Sequence, residues 1–368
     1  MQTIKSGLIG CGKVAHIHAA ALQAIPGSKL TAVCGTSMER TRQFADKYGI
    51  AAYDDPAKMA RESGIDVVSV CSPHPQHAVP AAICAKAGIH VIVEKSMAST
   101  LRDCDIMIAA AREGRVKLGT VCQRRFFPPC QRIRHAIDAG KIGRPILGSV
   151  TMYGWRDQAY YDSDPWRGTW KGEGGGVLVN QAPHQLDLLL WFMGPIAELS
   201  GMWGNLNHPY IEVEDTAIAI VRFVSGALGQ ILVSNSMNPA LYCRVQVNGA
   251  NGASIGVQTD GGAMFVAGMS KMTEPPITDV WTIPGEEDLK PIWQKEDTDF
   301  FASIDPIAHY HQLQLADFLD AVRNDRPPLI TGEDGRRTVE LFTAIYRSNQ
   351  ARAAIRFPLE SAGDDRPI

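Results

Sequence analysis

Short apolar runs alternate with amphipathic segments through the first third of the chain. The apolar runs have the length of buried strands and lie at residues 4–9, 29–34, 66–71, 90–94 and 116–120. Segments of helical length, several of them rich in alanine, lie between these runs. Strands that alternate with helices pair in parallel through right-handed crossovers. The pattern therefore predicts an α/β domain with a doubly wound parallel sheet.

A period of two appears later in the chain. Residues 215–223 alternate between apolar and polar side chains, turn at Ser225-Gly226 and continue at 228–233. This arrangement is typical of a β-hairpin. Residues 244–247 and 254–257 flank a glycine-containing turn in the same way. These segments predict antiparallel strands in the second part of the chain.

Residues 172–191, GEGGGVLVNQAPHQLDLLLW, combine a glycine-rich loop with a helical pattern. Asn180, His184, Asp187 and Trp191 recur at intervals of three and four residues, which places them on one helix face. We expect side chains capable of proton transfer on this face, beside a loop that lets another molecule approach closely. The alternative interpretation is a glycine cap before a core helix that holds one hydrogen-bonded histidine.

Length and composition limit the possible functions. A chain of 368 residues with 45% hydrophobic content is long enough for two cores, and its net charge of −3 offers no basic surface for nucleic acid. No basic amphipathic stretch indicates a membrane surface, and no apolar run approaches the roughly 18 residues of a membrane span. The eight cysteines are scattered without a CxxC pair, so we expect a reduced, cytoplasmic protein with neither disulfides nor a metal site.

A glycine-rich turn follows the first predicted strand. Gly10-Cys11-Gly12-Lys13-Val14-Ala15 has the form G-x-G-x-x-A, which dinucleotide-binding folds place between a strand and a helix. Gly10 permits the tight turn, and Gly12 lets the backbone approach a pyrophosphate. The helix that starts near Lys13 and Val14 supplies amide donors to the phosphates. We therefore expect NAD or NADP as cofactor.

The residues after the second strand bear on the choice between these cofactors. NAD enzymes commonly place an acid there to bind the ribose hydroxyls. Here the first positions carry no acid, and Ser37 and Arg40 are suited to hold a 2′-phosphate. Arg40 is equally compatible with an ordinary solvated helix position. On balance this segment favours NADP.

Further segments carry a resemblance that extends over nearly the whole chain. In chain order they are GLIGCGKVAHIH, CSPHPQHA, VEKSMA, QRRFFPP, IDAGKIGRP, GGGVLVNQAPHQLDLLLW and TGEDGRRTVELFTAIYRSNQ. Together they resemble the glucose–fructose oxidoreductase / inositol dehydrogenase / MocA-like family. The segment YYDSDPWRGTWKGEGGG is most similar to members that act on sugar and nucleotide-sugar hydroxyls, such as the nucleotide-sugar 3-dehydrogenases.

The resemblance implies two domains. Residues 1–123 would form the NAD(P)-binding Rossmann domain. Residues 124–368 would form an α+β domain with an open, mostly antiparallel sheet, responsible for substrate binding and oligomerisation. The outer face of that sheet would then form the interface of a homodimer or homotetramer, since an exposed apolar sheet face needs covering.

The resemblance also implies that Lys95 and His184 are catalytic. A secondary alcohol that gives a hydride to nicotinamide must also lose its hydroxyl proton, and a base with a near-neutral pKa accepts it best. His184 suits this role. Lys95 is expected to orient the hydroxyl and stabilise the developing carbonyl oxygen, or to share the proton transfer. The sequence does not decide which of the two is the base.

The remaining expected site residues fall into two groups. Besides the glycine turn, Ser37 and Arg40, the cofactor is expected to contact Ser72, Pro73, His77 and Glu94. Besides Lys95 and His184, the substrate is expected to contact Asn180, Arg125, Arg156, Trp166 and Arg167, through hydrogen bonds and ring stacking.

Two positions depart from the family pattern. Many members have aspartate where this chain has Asn180, and proline where it has Ser96. Asparagine still binds a sugar hydroxyl but cannot stabilise an imidazolium as a carboxylate would. Ser96 removes a backbone restraint beside Lys95. Asn180 therefore indicates a subclass, and Ser96 leaves the local geometry at Lys95 open.

These residues predict an NAD(P)-dependent oxidoreductase that acts on a secondary hydroxyl of a sugar, glycoside or cyclic polyol. One alternative is a glycoside-cleaving enzyme that recycles its cofactor through a transient keto-sugar. A second alternative is a sugar-sensing regulator without catalysis, which the retention of Lys95 and His184 disfavours.

Overall fold

The computed structural model describes residues 3–260 and 271–361. Its strands are β1 (Ile4–Ile9), β2 (Ser28–Cys34), β3 (Ala51–Tyr53), β4 (Val67–Val70), β5 (His90–Val93), β6 (Leu118–Thr120), β7 (Pro145–Tyr153), β8 (Ile196–Gly204), β9 (Thr216–Phe223), β10 (Leu228–Ser234), β11 (Tyr242–Gly249), β12 (Ser254–Asp260), β13 (Ile277–Trp281) and β14 (Ile355–Arg356).

The α-helices are α1 (Lys13–Ala24), α2 (Met38–Tyr48), α3 (Pro56–Glu62), α4 (Ala78–Lys86), α5 (Leu101–Gly114), α6 (Pro128–Asp138), α7 (Gln158–Asp162), α8 (Pro183–Met193), α9 (Leu289–Ser303), α10 (Pro306–Arg323) and α11 (Gly332–Ala351). Residues Val177–Gln181 form a π-helix directly before α8. In the described part of the chain, no helix has both the length and the apolar character needed to cross a membrane.

Local sequence signals explain where several helices begin. Asp55 accepts a hydrogen bond from the Ala57 N–H at 2.8 Å, and Pro56 occupies the first helical position of α3. Thr100 accepts from the Asp103 N–H at the start of α5. Capping of this kind satisfies amides that have no partner within the helix. At its other end, α2 stops at Gly49, which adopts a left-handed conformation.

Contacts divide the chain into two compact units, one of residues 1–123 with 307–339 and the other of residues 124–306 with 340–368. This differs from the expected division into two consecutive segments, because residues 307–339 pack on the first sheet. Gln314 of α10 accepts a hydrogen bond from the Cys122 N–H and donates one to the Thr120 carbonyl. The amphipathic pattern of α10 shows that it has a partner but does not reveal which sheet supplies it.

The first unit contains a six-stranded parallel sheet with the strand order β3-β2-β1-β4-β5-β6. This confirms the predicted doubly wound domain. The short strand β3 lies at the sheet edge and was not anticipated. Strand and helix side chains share one core, in which each fully buried aliphatic residue contributes about 1.5–3 kcal/mol. The core includes Leu8, Val33, Val67, Ile92, Leu315, Phe318 and Leu319.

The second unit contains an eight-stranded sheet with the order β13-β12-β11-β7-β10-β9-β8-β14. All neighbouring strands are antiparallel except β7 and β10. This confirms the mostly antiparallel sheet. One face packs against α8, whereas the other exposes a group of apolar side chains, named here the outer sheet face. Its members are Met202, Ile218, Ile220 and Leu228.

Candidate functional site

The glycine turn of the first unit joins β1 to α1 and contains two glycines with different surroundings. Gly10 has a φ of +98°, and a Cβ added there would lie 2.9 Å from the Cys71 carbonyl. A Cβ added to Gly12 would meet nothing within 4 Å. The first amides of α1, from Lys13 and Val14 onward, lie at a helix N-terminus that suits an anion. The turn therefore leaves open space at Gly12, where a pyrophosphate is expected.

The residues after β2 lie at the start of α2. Ser37 immediately precedes this helix, and its carbonyl accepts a hydrogen bond from the Thr41 hydroxyl at 2.7 Å. Arg40 is exposed and lines a shallow, open pocket. The other residues that line this pocket are Cys11, His16, Gln43 and Phe44. A cation in a pocket beside the glycine turn is compatible with binding of an anionic group.

His77 connects the loops that follow β4 and β5. Its ring is fully buried, with Nε2 2.6 Å from the Ser72 carbonyl and Nδ1 3.1 Å from the Met97 carbonyl. Burial lowers the pKa of His77, against the influence of these backbone hydrogen bonds. Both ring nitrogens thus contact the protein's own backbone. This favours a role for His77 in shaping the loop that contains Ser72 and Pro73.

Glu94 contacts the backbone of its neighbour Lys95. Glu94 Oε2 accepts a hydrogen bond from the Lys95 N–H at 3.1 Å, and Oε1 lies 2.7 Å from His18 Nε2. Glu94 is buried, whereas Lys95 is partly exposed. The Lys95–Ser96 peptide bond is cis. Both oxygens of Glu94 therefore have partners within the protein, and its carboxylate holds the Lys95 backbone.

Burial and the charges of neighbouring groups shift the pKa values of Glu94, His18 and His311 in opposite directions. Burial alone would raise the pKa of Glu94, but its hydrogen bond to His18 lowers that pKa to about 2. Burial likewise opposes charge on His18, yet Cys71 and Glu94 raise its pKa to about 10. His311 lies 3.9 Å from the same carboxylate oxygen, and burial lowers its pKa. His18 and Glu94 therefore form a buried ion pair beside a neutral His311, which the sequence pattern did not predict.

In the second unit, Glu214 holds the glycine-rich loop to its surroundings. Its carboxylate accepts hydrogen bonds from the Gly176 N–H at 2.9 Å, the Leu178 N–H at 3.0 Å and the Tyr346 hydroxyl at 2.9 Å. Burial raises the pKa of Glu214 to about 7, although these donors counteract the rise. The start of the π-helix is thereby fixed in place.

The glycines of this loop are required by packing within the second unit. A Cβ on Gly176 would lie 1.9 Å from the Glu214 carbonyl oxygen, and one on Gly175 would lie 2.5 Å from the Tyr346 hydroxyl. Both glycines are buried. We expected a loop that lets another molecule approach; the space beside these two glycines is instead filled by the chain itself.

The polar side chains predicted to share one helix face lie in the π-helix and in α8, and they have different surroundings. Asp187 is buried and forms a bidentate ion pair with Arg125, whose Nε and Nη2 lie 2.8 and 2.7 Å from its carboxylate oxygens. The guanidinium also lies over the Trp191 ring at 5.2 Å. Arg125, a predicted substrate residue, is thus buried and held by Asp187 and Trp191. His184, in the first turn of α8, is buried one helical turn after Asn180.

Four predicted substrate residues cluster around Tyr160, which was not predicted. The Tyr160 hydroxyl receives hydrogen bonds from Arg167 Nη1 at 2.5 Å and Asn180 Nδ2 at 3.1 Å. The Arg156 and Arg167 guanidinium groups lie 5.4 and 4.3 Å from the centre of its ring. Arg167 also lies over the Trp166 ring at 4.5 Å. Burial raises the pKa of Tyr160, so it stays a neutral phenol at the centre of these donors.

Two further residues of this cluster were missed. Gln181 donates to the Tyr160 hydroxyl at 2.9 Å, and Glu173 accepts a hydrogen bond from Asn180. Both lie within residues 172–191, which contain the glycine-rich loop and the helical pattern after it. An isolated acid within a run of glycines was the available signal for Glu173. The structure thus brings together Arg156, Trp166, Arg167 and Asn180 in one unit, with Arg125 set apart.

Two family profiles match this chain. Residues 4–121 match the oxidoreductase family with an NAD-binding Rossmann fold, and residues 130–255 match the GFO/IDH/MocA C-terminal domain. The first match covers the strands of the six-stranded sheet, and the second covers strands of the eight-stranded sheet. Together the two matches span more than half of the sequence.

Alignments with related dehydrogenases extend over nearly the full length of this chain. Myo-inositol 2-dehydrogenase of Thermotoga maritima is 28% identical, over 96% of this chain and 98% of its own. The scyllo-inositol 2-dehydrogenase (NAD(+)) of Bacillus subtilis is 26% identical over 95% and 94%. The WlbA dehydrogenase of Bordetella pertussis, solved with NADH and UDP-GlcNAcA, has 29% identity and a TM-score of 0.85 over 98% of this chain and 99% of its own. The chain therefore belongs to the GFO/IDH/MocA family of oxidoreductases, as its sequence segments indicated.

Proposed function

We propose that this oxidoreductase transfers a hydride between nicotinamide and a secondary hydroxyl of a sugar, glycoside or cyclic polyol. The observation that carries the proposal is the cluster around Tyr160, where arginine, tryptophan and amide side chains lie together just before His184. Planar donors and aromatic surfaces of this kind bind polyhydroxylated ligands. The named substrates of the relatives, two inositols and a nucleotide sugar, belong to the same chemical class.

Binding of the cofactor rests on the first unit. The amides of α1 and the open space at Gly12 fit a pyrophosphate, and when bound the nicotinamide accepts or returns the hydride. His184 and Lys95 are the proposed groups for the proton that leaves the hydroxyl. The Glu94 carboxylate holds the Lys95 backbone, so the position of this lysine is fixed from one side.

Substitution of the two proposed catalytic residues tests this function. A panel of sugars and polyols, assayed by nicotinamide absorbance with both cofactors, identifies a substrate for the wild type. Lys95→Ala and His184→Ala should then each lower kcat by roughly 10²-fold or more, because each removes a group that handles the proton or the developing oxyanion. Lys58→Ala and His135→Ala, at exposed positions, serve as matched controls.

Two outcomes would contradict the proposal. Near-normal rates in both variants would remove Lys95 and His184 from the mechanism. Cleavage of a glycoside without net change in nicotinamide absorbance would favour the cofactor-recycling alternative, because the keto-sugar is then reduced again within the same cycle.

For the cofactor, we propose NADP. The loop after β2 lacks an acid at Gly35, Thr36 and Ser37, and Arg40 lines a pocket beside the glycine turn. NADH in the solved WlbA complex favours NAD for that relative.

We further propose that the outer sheet face joins copies of this chain as a homodimer or homotetramer, since its exposed apolar side chains need covering.

A further inference from the structure

The His18 side chain lies two hydrogen bonds away from the backbone of Lys95. The His18 ring, on α1, is fully buried, and its Nε2 lies 2.7 Å from Glu94 Oε1. The other carboxylate oxygen, Oε2, accepts a hydrogen bond from the Lys95 N–H at 3.1 Å. One carboxylate therefore connects the His18 ring to the lysine that is proposed to act on the substrate hydroxyl.

The second nitrogen of the His18 ring is bound as well. Nδ1 lies 2.7 Å from the hydroxyl oxygen of Ser69, a buried residue of β4. A protonated imidazole donates from both nitrogens, so His18 donates to Ser69 and to Glu94 at the same time. These contacts hold the ring between α1, β4 and the loop after β5, all within the first unit.

His311 approaches the same carboxylate but does not take the place of His18 as a donor. Its Nδ1 lies 2.7 Å from the Ile307 carbonyl, which only accepts, so the proton of the neutral ring lies on Nδ1. The Nε2 atom, 3.9 Å from Glu94 Oε1, then carries a lone pair. Of these two histidines, His18 is therefore the donor to Oε1.

The Glu94 carboxylate is also coupled to Lys95 through charge. Burial raises the pKa of Glu94, whereas the charges of His18 and Lys95 are among the influences that lower it. Removal of one partner from a buried ion pair leaves the charge of the other uncompensated. Without His18, the carboxylate would attract the Lys95 ammonium group more strongly and hold the Lys95 backbone less firmly.

We propose that His18 is a positioning residue, which acts through Glu94 to hold Lys95 in the orientation that hydride transfer requires. The inference rests on the proposed function, because that function assigns Lys95 to the reacting hydroxyl. His18 does not itself meet the substrate, and its effect on the reaction passes through the Glu94 carboxylate. Displacement of a reacting group by about 1 Å costs up to about 10²-fold in rate, so a buried histidine can matter this much.

Two substitutions of His18 separate its hydrogen bond from the volume of its ring. Leucine fills a similar space but donates nothing to Glu94, so His18→Leu should lower kcat by about 30- to 100-fold. The amide of His18→Gln still offers a donor to the carboxylate, although an uncharged one, and kcat should stay within about 5-fold of the wild type. Both variants are assayed with the active substrate found in the panel.

His90→Leu is the matched control. His90 begins β5, whereas Glu94 follows the other end of that strand, and His90 Nδ1 accepts a hydrogen bond from the Lys117 N–H at 3.0 Å. The control thus removes a histidine hydrogen bond within the same unit, at the end of the strand that is remote from Lys95. It should leave kcat nearly unchanged.

A double-mutant cycle with Lys95→Ala distinguishes positioning from a general loss of structure. If His18 acts through the Lys95 side chain, His18→Leu should lower the kcat of the Lys95→Ala enzyme by less than about 3-fold. A purely structural loss would instead lower kcat by the same factor in both backgrounds. Thermal melting establishes that each variant is folded.

Ser69→Ala enters the same cycle if His18→Leu does not fold. This smaller change removes only the hydroxyl beside His18 Nδ1. It should lower the kcat of the wild type by about 3- to 10-fold, because the ring loses one of its two hydrogen bonds. In the Lys95→Ala background it should lower kcat no further.

The outcomes separate the positioning role from the proposed function. Equal losses of kcat in both backgrounds, near-normal kcat in His18→Leu, or a His18→Gln enzyme as slow as His18→Leu would overturn the positioning role. A large effect of Lys95→Ala in the same experiments would leave the proposed function intact. Near-normal rates in Lys95→Ala would remove both Lys95 and His18 from the mechanism. A wild type without hydride transfer to any sugar or polyol of the panel would overturn both proposals.

Discussion

Replacement of Gly12 by valine separates a glycine required by a ligand from one required by the fold. Gly12 has φ −85° and ψ −172°, values that other residues adopt without strain. A Cβ at this position meets no atom of the chain within 4 Å. A side chain also restricts the unfolded chain, which is favourable for folding. The free energy of unfolding should therefore change by no more than about 1 kcal/mol.

Cofactor affinity should respond very differently. The added carbons occupy the space through which a pyrophosphate approaches the first amides of α1. Loss of two hydrogen bonds to a charged phosphate, at about 1.5–3 kcal/mol each, removes at least about 3 kcal/mol of binding energy. This corresponds to an increase in Kd of more than about 100-fold.

Gly10→Ala is the matched control for this experiment. Gly10 has a φ of +98°, and its new Cβ would lie 2.9 Å from the Cys71 carbonyl. Backbone strain alone costs about 1–3 kcal/mol there, so this variant should lose thermal stability. Thermal melting and fluorescence titration with NADH and NADPH measure both quantities. Unchanged affinity in Gly12→Val, or a loss of stability equal to that of Gly10→Ala, would refute the reasoning.

Two further variants test the cofactor preference and the assembly. Arg40→Ala should weaken NADPH binding by about 10-fold or more while NADH binding stays nearly constant, because only NADPH carries the phosphate that this side chain would bind; equal losses in fluorescence titrations would argue against NADP. Ile220→Glu, at a side chain 67% exposed on the outer sheet face, should reduce the assembly size measured by light scattering, whereas Val79→Glu, 70% exposed on α4, should not. A monomeric wild type would contradict the proposed interface.

The parts of the fold predicted from sequence are those set by local pattern. Apolar runs and helical segments of the right length determine a parallel sheet, because each crossover allows few arrangements. The three-residue strand β3 was missed, since so short a segment has no measurable period. The return of α10 to the first sheet was missed for another reason. An amphipathic helix shows that one face is buried, but the partner is chosen by tertiary packing.

Prediction of the site residues from the sequence meets the same limit. Tyr160 and His311 were not predicted, because their importance comes from neighbours distant in sequence: Tyr160 contacts residues up to 21 positions away, and His311 lies near Glu94. Conversely, Arg125 has a residue type suited to sugar binding and was assigned that role. Its contact with Asp187, 62 positions away, could not be foreseen from the local sequence. Side-chain chemistry indicates what a residue can bind, whereas burial and partners determine what it does bind.

The two glycine-rich segments demonstrate why sequence alone is ambiguous at such positions. Gly12 and Gly176 both lack a Cβ, and a pattern of glycines before a helix is common to both. At Gly12 the space is open, as a ligand requires; at Gly176 the Glu214 carbonyl oxygen already occupies it. The glycines of the second segment therefore allow close packing within their own unit. In the same loop, the acidic side chain of Glu173 accepts a hydrogen bond from Asn180, one of the proposed substrate residues.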